Sequence, residues 1–145
     1  MPYSHAWEDR GVVKHFSGFV TGEEFARSAQ EIAADRRFDD LRFIICDFLD
    51  VKGHSIDARS IERIAITRLG SLYSNPNIRV VLITTDEKVA KLKLAIEHPR
   101  FGKTYETCVF GTVQQARDWL GSQAAMHEMA KRFNAPKTPR SMRSK

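Results

Sequence analysis

The chain has 145 residues, 42% of them hydrophobic and 28% charged, with two cysteines and a formal net charge of +5. That is enough chain for one domain around one core, and it excludes a disordered polymer and a disulfide-stapled mini-protein. No apolar run approaches the roughly 18 residues of a membrane span, the opening MPYSHAWEDR lacks the apolar core of a signal peptide, and two cysteines suit a reducing compartment, so a cytoplasmic protein is expected.

The charge belongs to one end. Residues 121–145 hold Lys131, Arg132, Lys137, Arg140, Arg143 and Lys145 against Glu128 alone. This excess equals the net charge of the whole chain, so residues 1–120 are balanced. A nucleic-acid partner is therefore not expected, because such domains carry their cations on the folded face that meets phosphate.

Residues 3–8 and 12–17 flank Asp9-Arg10-Gly11 and read as an edge hairpin, with Gly11 permitting the reversal. Thr21 and Glu24 form a T-x-x-E capping box, with Val20 and Phe25 placed as a hydrophobic staple. Phe25, Ala29, Ile32 and Ala33 then mark an amphipathic helix over 22–35. Leu41 to Phe48 is a nearly continuous apolar run, the pattern of a strand buried on both faces. A polar turn through Gly53-His54-Ser55 leads to a second helix whose stripe is Ile61, Ile64, Ala65, Leu69 and Leu72, and which Asn75-Pro76-Asn77 breaks. Ile78 to Thr84 is a second buried strand. Thr85 or Asp86 caps a third helix with Val89, Leu92 and Ile96 inward, ended at His98-Pro99. Tyr105 to Phe110 is the last strand, and Thr112 with Gln115 opens a fourth helix through Trp119-Leu120. Residues 122–133 read as a further helix with Ala125, Met129 and Phe133 on one stripe. The basic, proline-bearing segment after it reads as disordered. The expected division is a domain over 1–120 and a C-terminal helix and tail over 121–145.

Strict alternation of helix and strand after a hairpin predicts an α/β domain: a mixed, mostly parallel five-stranded sheet flanked by four helices, with a C-terminal helical extension. The opening hairpin, the "VTGEEF" helix start, "RFDDLRFIICDFLDV", "NPNIRVVLITTD" and "VFGTVQQARDWL" together resemble the SpoIIAA-like branch of the STAS superfamily, over roughly residues 5–120. That resemblance implies a regulatory interaction module, as in bacterial anti-sigma-factor antagonists. The related CRAL-TRIO (SEC14-like) domains supply a second expectation, a binder of a small apolar ligand or lipid. The resemblance also points to a phosphoacceptor serine near the start of the second helix. Asp47-Phe48-Leu49-Asp50-Val51 is similar to the family's D-L-S-x-V, but the D-S-[ST]-G core is missing, so Ser55 stands as either a phosphoacceptor or a simple helix cap.

Motifs for catalysis do not survive inspection. Phe101-Gly102-Lys103-Thr104 lacks the earlier glycine of a phosphate loop, since Glu97 occupies that position and a strand follows rather than precedes. No G-x-G-x-x-G follows a strand. His5, His15, His54, His98 and His127 have no metal-ligand spacing, and Cys46 and Cys108 lie in apolar strands, where cysteine behaves as a small hydrophobe. Neither an enzyme nor a cofactor or metal site is expected. One cluster follows from topology: open parallel sheets bind ligands beyond the carboxyl ends of their strands, where Asp47, Asp50, His54, Thr84, Thr85, Asp86 and Thr112 are expected. These are candidates for a ligand-facing group, with capping and turn roles as the competing explanation. A homodimer or a protein partner is plausible for such a chain.

Overall fold

A computed structural model describes residues 3–102 and 104–134, apart from the side chains of residues 124–128 and 131–134. Five strands form a single sheet in sequential order: β1 (Tyr3–Glu8), β2 (Gly11–Thr21), β3 (Phe43–Ser55), β4 (Arg79–Ile83) and β5 (Thr107–Phe110). β1 runs antiparallel to β2, and every other neighbouring pair is parallel. The four helices are α1 (Gly22–Ala34), α2 (Ala58–Ser74), α3 (Glu87–Ile96) and α4 (Val113–Asn134), with short 3-10 turns at Arg36–Asp40 and Pro99–Phe101. This is the mixed α/β sheet that the alternation of the sequence predicts.

Period-two alternation along the strands builds two cores. Val12, Phe16, Cys46, Phe48, Val80 and Leu82 face Phe25, Ile32, Ile61, Ile64, Val89, Leu92 and Ile96, so α1, α2 and α3 cover one side. Phe16, Phe25 and Phe48 meet there with ring centroids 4.7–5.6 Å apart. Ile45, Val81 and Ile83 face the other side, where Ala116, Trp119 and Leu120 of α4 cover them. Cys46 and Cys108 are free, separated by the intervening β4.

Local signals act where the sequence places them. Thr21 Oγ1 accepts from Glu24 N–H and the Glu24 carboxylate accepts from Thr21 N–H, which completes the capping box of α1. Asp86 caps α3 by accepting from Lys88 N–H. Asn75 ends α2, and its buried side chain also donates to the carbonyls of Phe38 and Leu41.

Five expectations need correction. The hairpin's positive φ falls on Arg10 at 61°, and Gly11 is required for a different reason: the Phe43 ring lies where its Cβ would stand. β3 does not end at Phe48. It continues through the expected polar turn to Ser55, because β2 is long enough to pair Ser17–Thr21 with Asp50–Ser55. This two-stranded ribbon overhangs the shorter β4, so it needs no apolar alternation to be satisfied. In α2, Arg68 rather than Leu69 takes the inward position, and Leu69 stays 36% exposed. The Gln115 side chain accepts from Gly111 N–H instead of closing a box on Thr112, although Thr112 Oγ1 does accept from Gln115 N–H. Finally, the expected 122–133 helix is not a separate element, because α4 continues unbroken past Gly121 to Asn134. Residues 135–145, the expected disordered tail, lie outside the described residues.

Candidate functional site

Ser55 is exposed at the last position of β3, but it does not cap α2. The cap is Asp57, whose carboxylate accepts from Ser60 N–H at 2.9 Å and from Ser60 Oγ at 2.8 Å. Those bonds hold the Asp57 carboxyl below its ordinary range. The extension of β3 shifts the helix start by two residues, which is why a cap was expected at the wrong side chain.

The strand-end group is spread rather than convergent. Asp47 lies opposite Ile83 on β4, and its carboxylate accepts from Leu49 N–H. Asp50 sits farther along the ribbon, 3.0 Å from His15 Nε2. His54 Nδ1 accepts from Ile56 N–H. Thr84 is buried and its hydroxyl accepts from Asp86 N–H, while Asp86 caps α3. Asp47, His54, Thr84 and Asp86 are each engaged by backbone of their own segment, and Asp50 by His15 on the neighbouring strand. Among the described residues, no three His, Cys, Asp or Glu side chains come together in a way that holds a metal ion.

The amino end of α2 opens instead into a groove of about 410 Å³ shared with α3. Ile56, Ile61, Leu92 and Phe101 supply apolar walls, and Lys88, Lys91 and Arg100 supply cations. At the other end of α2, Leu72, Tyr73, Pro76, Arg79 and Thr104 line a second groove of about 490 Å³. There Thr104 Oγ1 is buried without a hydrogen-bond partner, and Arg79 Nε, likewise buried, has only the Glu106 carboxylate 3.7 Å away. Between the grooves α2 exposes an apolar stripe at i, i+3 and i+7: Ile66 is 65% exposed, Leu69 36% and Tyr73 87%. Helix α2 is thus apolar on two faces, one against the sheet and one toward solvent.

Sequence reasoning passed over two cations in the interior. Lys14 lies on β2 between Val12 and Phe16, facing the core beneath α1, and is only 4% exposed. Its ammonium stands over the rings of Phe16 and Phe25 at 5.7 and 5.4 Å. Burial pushes its pKa below the ordinary lysine value, with the Arg68 charge acting in the same direction. Arg68 runs from the half-exposed surface of α2 inward, and desolvation likewise lowers its pKa. A signal for both was present: a lysine at the inward phase of a strand, and an arginine four residues from Ile64 and from Leu72 in the apolar stripe of a helix.

Taken together, a sequential five-stranded sheet with an antiparallel β1, three helices on one face and one on the other defines a SpoIIAA-like α/β fold. The chain is similar in structure to the anti-sigma factor antagonist SpoIIAA in its unphosphorylated form, with a TM-score of 0.55 at 15% identity, over 81% of this chain and 96% of that one. An uncharacterised DUF3478-family protein with a SpoIIAA-like fold from Shewanella loihica PV-4 aligns with a TM-score of 0.49 at 14% identity, over 81% of this chain and 91% of that one. No protein-family model matches the chain, and no curated protein matches it by sequence.

Proposed function

We propose that this protein is a non-enzymatic, STAS-like interaction module that binds a partner protein along α2. The observation that carries this reading is the exposed stripe Ile66-Leu69-Tyr73 on a helix whose two ends open into grooves. Exposed apolar residues at helical spacing form a contiguous patch, the usual mark of a docking face. Lys88, Lys91 and Arg100 at the amino-end groove give the partner its polarity: a segment with apolar side chains and an acidic end is complementary to both features. The carrier alternative finds less support. The voids beneath α1 and α2 measure about 30 and 20 Å³, an order below the ~300 Å³ a lipid-sized ligand requires, and the two larger grooves lie open to solvent.

Ser55 enters this reading as a switch. It is exposed one residue before Ile56, which lines the cationic groove. Phosphate there would add roughly −1.5 to −2 charge beside the lysines and compete with an acidic partner segment. The test is affinity purification of the full chain from its native cells, in parallel with Ile66→Asp/Tyr73→Asp and Lys88→Glu/Lys91→Glu variants. A protein held by the parent and lost from both variants supports the α2 surface. An identical set of proteins in all three overturns it, and a small apolar molecule co-purifying with each establishes the carrier. With the partner in hand, weaker binding by Ser55→Asp than by Ser55→Ala supports the switch, and equal binding removes it.

A further inference from the structure

The interior cations hold a contradiction that a ligand resolves. Lys14 and Arg68 line one cavity of about 30 Å³ between α1, α2 and the sheet, together with Phe25, Ile64, Tyr105 and Ser71. Among the described residues, no carboxylate lies within 4 Å of either cation. Arg68 has one long hydrogen bond, from Nη1 to Thr107 Oγ1 at 3.5 Å. The one carboxylate that acts on Lys14 from a distance is Glu31, behind the Cys46 thiol in effect, and it is engaged by Tyr3, whose hydroxyl donates to it at 2.9 Å. A buried ammonium and a partly buried guanidinium lining one void with no carboxylate in contact are unfavourable unless one loses its proton, water reaches them or an anion enters. The Phe16 and Phe25 rings compensate Lys14 only in part.

We propose that this cavity is a binding site for a single carboxylate group, held between the Lys14 ammonium and the Arg68 guanidinium. The volume sets the size: a water needs roughly 10–15 Å³ of such space, so about two waters, or one carboxylate, fit. A tetrahedral oxyanion with its hydration is too large. The cations set the sign, since a planar guanidinium and an ammonium together match the two oxygens of a carboxylate. Access runs between α1 and α2, where Ala29, Ala33, Thr67 and Ser71 line the cavity with short side chains. The same chemistry has two sources, a free short acid or the head of a longer apolar acid whose chain leaves between the helices. This site lies under the helices and is separate from the α2 docking face, so the two readings stand or fall independently.

Thermal unfolding of the full chain decides it, at pH 7.5 and constant ionic strength, with formate, octanoate or the bulky carboxylate gluconate as sodium salts. Formate raises Tm by about 5–10 °C at a hundredfold excess over its Kd, and gluconate does not. Lys14→Met and Arg68→Met each abolish the formate shift. Octanoate acting at tenfold or more lower concentration than formate identifies the head of an apolar acid; equal or weaker action identifies a free short acid. Equal shifts with formate and gluconate, or a formate shift that survives both substitutions, overturns the site and leaves two waters and a deprotonated lysine in the cavity. If a variant fails to fold, amide NMR shifts of the parent chain serve in its place. Formate-induced changes centred on Ala29, Ala33 and Ser71 support the site, and their absence overturns it.

Discussion

At the scale of single residues, buried polar groups mark where this fold is most sensitive to pH and to substitution. His5 stands opposite Lys14 in the β1–β2 register, and its Nε2 lies 2.8 Å from Ser28 Oγ. Burial lowers its pKa, the Lys14 charge adds to that, and Glu31 and Asp35 oppose it. A histidine whose folded pKa lies below its unfolded value is kept neutral by folding. The unfolded chain therefore binds the extra proton as pH drops below about 6.5, and stability declines until the lowered folded pKa is passed. The urea midpoint is expected to fall between pH 7 and pH 5, and His5→Gln to flatten that slope. The carboxylates act in a lower window. Asp35, held to about 2 by its hydrogen bonds to Arg37, contributes stability that is lost only as pH falls below its ordinary value of 3.8. A slope above pH 5 that is unchanged in His5→Gln would remove the histidine from this account.

At the scale of elements, Asn75 ties three segments together. Its side chain donates to Phe38 and Leu41 in the connection before β3, and its own carbonyl accepts from Tyr105 Oη at 2.6 Å. Burial raises the Tyr105 pKa to about 12, so the phenol remains a donor at any pH at which the chain folds. Asn75→Ala removes one of two donors from each of two carbonyls, since Phe38 O keeps Leu41 N–H and Leu41 O keeps Arg42 Nη1, and it is expected to cost about 1–3 kcal/mol. Tyr105→Phe strands one, for about 1–2 kcal/mol. Because both act on one knot, the double variant should cost less than the sum in chemical denaturation, and strict additivity would show the two bonds to be independent. From the sequence, Asn75-Pro76-Asn77 is legible only as a helix breaker, since its partners lie 30 or more residues away. The same limit explains the other differences. Caps at Thr21 and Asp86 are local and readable. The extension of β3 depends on the length of β2, a pairing between segments that neither segment encodes alone. The exposed stripe of α2 is hard to read in the sequence because a helix apolar on two faces gives a blurred period. Lys14 and Arg68 do not stand out in the sequence, because a single charge at an inward position says little until both are seen to line the same cavity.

At the scale of the whole molecule, α4 divides into an anchored half and an extended half. Its first turns are fixed to the sheet: Ala116 is fully buried, Trp119 packs against Phe110 with ring centroids 6.0 Å apart, and Arg117 donates to both carboxylate oxygens of Glu8. The Arg117 guanidinium also covers the Phe43 ring at 5.7 Å, which ties the hairpin, β3 and α4 into one corner. Beyond Gly121, Met129 of the apolar stripe is 58% exposed. From this exposed Met129 we expect residues 122–134 to add little to the stability of the protomer. Trp119 is partly buried, so Trp119→Ala is expected to cost about 2–3 kcal/mol, less than a large aromatic removed from a closed core. Deleting residues 122–145 is expected to cost under about 1 kcal/mol and to lower the far-ultraviolet helical signal by the turns removed. Isolated helical turns of this length are marginal in water, so the extended half must find a cover or fray. Light scattering of the deleted chain beside the full one shows which. A dimer that disappears with residues 122–145 places a second copy on the Met129 stripe, whereas a monomer in both cases leaves that half as a solvated arm. A truncation cost as large as that of Trp119→Ala would mean that the second half is packed on its own domain.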